Sequence, residues 1–170
     1  MERVIAAVAM LAVVPVAWWL MWRGWRGRRG EQTGLPEPQP APEQPAGGWA
    51  LEPVEGTYVS TTWAGRPFDR VVAHGLGVRS GVAVGADAEG LVVERGGARS
   101  FRVPRADVRG VHRQRGAVGK FTVEEEGLVV VTWQLGEAEL DTAVRCRRRA
   151  DADRLVTAVR DLVGTAGGAQ

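Results

Sequence analysis

The chain has 170 residues, 45% of them hydrophobic, with one cysteine, two histidines and a formal charge of +2. One cysteine excludes an internal disulfide. The charge divides into +4 over residues 1–30, −3 over 31–48 and +1 over 49–170, so most of the chain lacks the broad basic face that nucleic-acid binding needs.

Val4 through Trp22 is a run of 19 residues without a charge. As a helix it would cover about 28 Å, close to the thickness of a bilayer's hydrocarbon core. Trp18, Trp19, Trp22 and Trp25 crowd its end, where indole rings favour the headgroup level, and Arg23, Arg26, Arg28 and Arg29 follow at once. The bulky, basic end offers no small-x-small cleavage site, so the run reads as a retained anchor rather than a secretory signal. Four arginines after the span against one before it predict an outer N-terminus, with the rest of the chain cytoplasmic at the plasma membrane. The same arginines suit anionic lipid. Residues 1–29 are thus expected to be a transmembrane anchor with a basic flank.

Residues 30–48 carry prolines at 36, 38, 40, 42 and 45. Proline lacks a donor N–H and fixes φ, so the stretch reads as a semi-rigid tether through which neither helix nor sheet runs. Residues 49–170 are then the domain. Gly56–Trp63 is rich in β-branched and aromatic residues. One or two irregular strands are expected over 71–85. Leu91–Arg95 and Ala98–Val103 read as a hairpin around a Gly96-Gly97 turn, with Phe101 and Val103 on one face and Ser100 and Arg102 on the other. Pro104 ends that arm, and 108–115 is a weaker strand. Leu128–Leu135 is the strongest strand, followed by a Gly136-Glu137 turn. The return strand places Ala138, Leu140, Thr142, Val144 and Cys146 inward, and Glu139, Asp141 and Arg145 outward. A closing helix is predicted with Asp151 as its cap, an apolar stripe of Leu155, Val156, Val159, Leu162 and Val163, and a stop at Gly164 and Gly167-Gly168.

About seven antiparallel strands and one C-terminal amphipathic helix give a mainly β fold, a roll or open barrel whose exposed part the helix can cover. The order, and the runs 61–70, 74–81, 91–111 and 127–145, resemble the single-span membrane proteins with a pleckstrin-homology-like (PH-like) domain that are common in actinobacteria. That resemblance implies a PH-like domain behind a membrane anchor; it implies no known chemistry.

The residues themselves argue against catalysis. His74, His112 and Cys146 stand apart without metal-ligand spacing, and Glu124-Glu125-Glu126 reads as a solvated turn. Gly119-Lys120 lacks the first glycine and the Ser or Thr of a phosphate loop, and Gly75–Ser80 lacks the third glycine of a dinucleotide fingerprint. No Ser sits in Gly-x-Ser-x-Gly. Cys146 is expected to be a buried apolar residue rather than a reactive thiol. No cofactor and no metal are expected. What remains is arginine placement. Arg66 and Arg70 flank Pro67-Phe68-Asp69 in the loop after the first strand. Within the PH-like resemblance that loop is where lipid-binding members carry basic residues, though the usual lysine-rich pattern is missing. Arg113, Arg115 and Lys120 form a second basic loop, and Arg147, Arg148 and Arg149 a third. The expected function is a non-catalytic interaction or scaffold module that binds a protein partner. The alternatives are anionic-lipid headgroup binding through Arg66, Arg70 and Arg147–Arg149, and, last, an enzyme with an unrecognised site.

Overall fold

The computed structural model describes residues 14–15, 34–45, 47–114 and 127–166. The chain divides into two units, Met1–Leu35 and Pro36–Gln170. In the first, Val14 and Pro15 are helical; the rest of the Val4–Trp22 run and its four flanking arginines lie outside the described residues, as do Arg115, Gly119, Lys120 and Glu124–Glu126. Among the described residues no helix is long and apolar enough to cross a membrane.

The second unit is mainly β. Its strands are β1 (Gln39–Pro40), β2 (Leu51–Trp63), β3 (Arg66–Arg70), β4 (Ser80–Asp87), β5 (Gly90–Arg95), β6 (Phe101–Pro104), β7 (Val108–Gln114), β8 (Leu128–Leu135) and β9 (Ala138–Cys146), followed by one helix, α1 (Arg149–Ala166). They form one antiparallel sheet in the order β1-β6-β5-β4-β2-β9-β8-β7, with β3 folded back on β2. The sheet rolls over on itself, because Phe101 of β6 stacks on Trp133 of β8, ring centroids 5.7 Å apart, and Tyr58 of β2 meets Phe101 edge-on at 6.4 Å. Leu155, Val159 and Leu162 of α1 are buried, and the helix packs mainly on β7.

The β8–β9 hairpin follows the alternation in its sequence. Leu135 pairs with Ala138 around Gly136, whose φ of 61° is the left-handed conformation the turn requires. Leu140, Thr142, Val144 and Cys146 are buried. Four expectations need correction. β2 starts five residues early, since a register shift between Leu51 and Val54 lets Pro53 sit in the strand. The β5–β6 pairing sets Val93 opposite Phe101, one residue out of step with a Gly96-Gly97 turn, and the Ser100 hydroxyl accepts the Arg95 N–H at 2.9 Å inside a longer loop. The helix begins at Arg149, with the Arg148 carbonyl taking its first N–H groups and the Asp151 carboxylate accepting from Arg148 Nε at 3.0 Å. It also runs through Gly164 to Ala166; one glycine weakens a helix by about 1 kcal/mol without breaking it.

The fourth correction concerns the proline-rich stretch, part of which is strand. Gln39 and Pro40 pair with Arg102 and Phe101 at the sheet edge, where a missing N–H costs least. Around them, Pro36 lies against Gly136, Glu37 ion-pairs with Arg99, and the Trp49 ring covers Gly85, where a Cβ would collide with it. Residues 36–49 are therefore a strap across the outer face of the sheet. Gly85, Val92 and Arg102 form one outward-facing row across β4, β5 and β6, yet Val92 and Arg102 are buried. Arg102 pairs with the fully buried Asp87 and with Glu89, and the other Asp87 oxygen accepts the N–H groups of Glu89 and Gly90 at 2.9 and 3.0 Å. Removing one partner of a buried ion pair leaves the other uncompensated. Asp87→Ala is expected to lower stability by about 3–5 kcal/mol, read as a fall in the urea midpoint at unchanged m-value.

Candidate functional site

The segment joining β2 to β4 is the most unusual surface of the domain. The hairpin of β2 and β3 pairs Trp63 with Arg66 and Thr62 with Arg70, then residues 71–79 cross the end of the rolled sheet. That crossing is pinned from below. The Val71 N–H donates to the Thr61 carbonyl and the Thr61 N–H to the Leu76 carbonyl, both at 2.9 Å, with Val71 and Leu76 fully buried. His74 takes a left-handed φ of 53°, which histidine tolerates better than most side chains.

Arg95 holds the same crossing from inside. Its Nε donates to Ser80 Oγ at 3.2 Å, Nη1 to the Gly75 carbonyl at 3.1 Å and Nη2 to the Val78 carbonyl at 2.6 Å. Its guanidinium stands 4.0 Å from the centre of the Tyr58 ring. Tyr58 Oη donates to the Leu76 carbonyl at 2.9 Å and shares a hydrogen bond with Thr61, whose hydroxyl meets Thr142 Oγ1 at 2.7 Å, and Trp133 Nε1 donates to Thr142 at 2.8 Å. Burial raises the Tyr58 pKa above the ordinary phenol value and lowers that of Arg95 below the ordinary guanidinium value. The network positions the loop; it presents no group to solvent for chemistry.

Above this base the loop is apolar and basic. Phe68 is 98% exposed, Val72 68% and Val78 56%, and these are all the exposed large hydrophobic residues among the described residues of Pro36–Gln170. Arg66 pairs with Asp69 at 3.4 Å and lies 5.4 Å from the Trp63 ring centre, half-exposed. Exposed ion pairs of this kind hold their charges only weakly.

Arg147, Arg148 and Arg149 do not join Arg66 and Arg70. Trp63 pairs with Leu140 and Gly56 with Cys146, so the two arginine groups sit at opposite ends of the β2–β9 ladder, about 23 Å apart at the usual rise per residue. Arg147 pairs with Glu55 at 2.7 Å and Arg148 with Asp151, while Arg149 opens the helix. One headgroup cannot bridge both groups. Arg113, of the second basic loop, pairs with Asp153 of α1.

Among the described residues no three His, Cys, Asp or Glu side chains are placed to hold a metal ion. An open groove of about 580 Å³ on the outer sheet face collects Glu43, Glu55 and Glu94, but Glu55 is already engaged by Arg147. Cys146 is buried, and burial together with the nearby Asp151 carboxylate pushes its thiol up to about 11.

Sequence reading missed Arg95, the Asp87–Arg102 pair and the exposed apolar tip. Arg95 was signalled by phase, since Leu91, Val93 and Arg95 share one face of β5. Phe68 was signalled by its isolation among polar neighbours. Asp87 had no signal before the strap was known.

A family model described as Bacterial PH domain-like matches residues 35–160. No curated protein and no solved structure matches the chain.

Two outcomes test the geometry. Arg95→Met should leave the core folded but free residues 71–79, so trypsin cleaves after Arg79 faster than in the parent; unchanged cleavage would show that the clamp carries no load. The Cys146 pKa is raised above its unfolded value, so the folded state favours the neutral thiol, and the stability this confers is complete below about pH 8.5 and lost as pH climbs through about 11. Maleimide should therefore label Cys146 at pH 8 only after denaturation.

Proposed function

The chain belongs to the Bacterial PH domain-like family, and from that premise we propose a non-catalytic interaction module, tethered to the plasma membrane by residues 4–29, with its domain on the cytoplasmic face and a protein as its partner. The uncharged run Val4–Trp22, its tryptophans and the arginines at 23, 26, 28 and 29 support the anchor and its orientation.

The observation that carries the reading is the asymmetry of the sheet edges. At one end Gln39–Pro40 of the strap occupies the edge of β6. At the other, β7 ends the strand order with β8 as its only strand partner among the described residues, and Arg109, His112 and Arg113 are exposed. A terminal strand offers backbone donors and acceptors to an added strand, so the partner contributes an extended segment along β7.

A photo-crosslinking side chain placed at Arg109 or His112 of the full-length chain, in its native membrane, tests this. The expected result is a discrete protein adduct at both positions, with the Arg109 adduct abolished by His112→Pro while the urea midpoint stays within the range of a surface change. Absence of adducts at both positions, or adducts indifferent to the proline, would contradict strand addition at β7.

A further inference from the structure

The charge on β7 narrows what can lie along its open edge. Over Val108–Gln114 the strand carries Arg109, His112 and Arg113, all exposed, and no carboxylate. β8 beside it carries no charged side chain. Arg109 Nη1 donates to the Ala106 carbonyl at 2.9 Å, which leaves its charge without a counter-ion in that contact. Arg113 pairs with Asp153 of α1, and the two side chains are 37% and 63% exposed. So exposed a pair is readily exchanged for another carboxylate.

A second copy of the chain is a common occupant for an open sheet edge, but it fits this one poorly. Pairing β7 with itself about a two-fold axis through Val111 sets Arg109 of each copy opposite Arg113 of the other. Like charges directly opposite in a ladder are destabilising, so the strand disfavours its own kind and favours a segment of the opposite sign.

The far edge of the same sheet shows such an arrangement within the chain. There the strap, which carries Glu37 and Glu43 and no lysine or arginine over 36–49, lies along β6. Gln39 stands opposite Arg102, and Glu37 ion-pairs with Arg99. An acidic extended segment on an arginine-bearing edge is thus a pairing this sheet already makes.

We propose that the segment added along β7 is an acidic stretch of a different protein, with its carboxylates beside Arg109 and Arg113, and that one of them takes Arg113 over from Asp153. This rests on the strand addition proposed above and names the chemistry of the added strand. Charge supplies the selection and backbone pairing supplies the register.

The test uses the full-length chain with a photo-crosslinking side chain at His112. Three short threonine-rich peptides serve as probes, carrying glutamate, glutamine or lysine at alternate positions. The expected adduct yield is several-fold higher for the glutamate peptide than for the glutamine peptide, lowest for lysine, and falls as sodium chloride is added. Asp153→Asn should raise the glutamate yield, because Arg113 loses its competing carboxylate. Arg109→Gln combined with Arg113→Gln should bring it down to the glutamine level, with the urea midpoint confirming that the variant is folded. Equal yields from the glutamate and glutamine peptides overturn the acidic selection and leave strand addition standing. An Asp153→Asn chain with unchanged yield overturns the hand-over of Arg113. Adducts between two copies of the chain in place of peptide adducts assign the edge to self-pairing and overturn the proposal. No adduct from any peptide overturns the acidic selection and strand addition together.

Discussion

Two backbone pairings, Gln39 with Arg102 and Pro40 with Phe101, decide how much of this chain is domain and how much is tether. Without them residues 30–48 would be a spacer able to hold the domain far from any anchor. With them, residues 36–49 belong to the domain, and the strap closes a sheet edge that would otherwise invite pairing. Val92 and the Asp87–Arg102 pair are buried on a face that strand alternation assigns to solvent, beside Gly85, which the Trp49 ring covers. Asp87 is tolerated there because it accepts from two backbone N–H groups as well as from Arg102, whose other Nη donates to Glu89.

The interior makes a different use of polar groups. A rolled sheet has an open end, and here it is filled by Tyr58, Thr61, Thr142 and Arg95 rather than by aliphatic side chains alone. An unsatisfied polar group in such a place costs about 1–3 kcal/mol, so the network is sustainable only because its members bond one another and the carbonyls of Gly75, Leu76 and Val78. Those carbonyls belong to the segment that carries Val72 and Val78. Arg95 thus joins the interior packing to the backbone beneath the exposed tip.

What the sequence revealed follows from the range of the interactions involved. The β8–β9 hairpin was legible from Leu128 to Cys146 because alternation and a Gly-led turn are local signals. The stripe of α1 was legible for the same reason. Asp151 was misread as the cap because a carboxylate at the third helical position also suits the helix N-terminus. The strap was not legible, since five prolines argue locally for a spacer and only the distant edge of β6 recruits Gln39 and Pro40 into the sheet. The arginines at 66 and 70 and those at 147–149 belong to separate loops in the sequence, and the register of β2 against β9 shows that those loops lie at opposite ends of the ladder. The span itself, Val4–Trp22, remains a reading of composition and charge, outside the described residues apart from Val14 and Pro15.

The closure of the β6 edge and the domain's boundary both descend from the strap, so its occupancy of the sheet edge is the claim to measure. Amide hydrogen exchange on the full-length chain, resolved over residues 36–49 and at Arg102, does so directly. The account predicts exchange in 36–49 much slower than in a free peptide of the same sequence, with Arg102 protected alongside it. Exchange of 36–49 at the free-peptide rate, with β6 still protected, would return the stretch to a spacer and contradict the account.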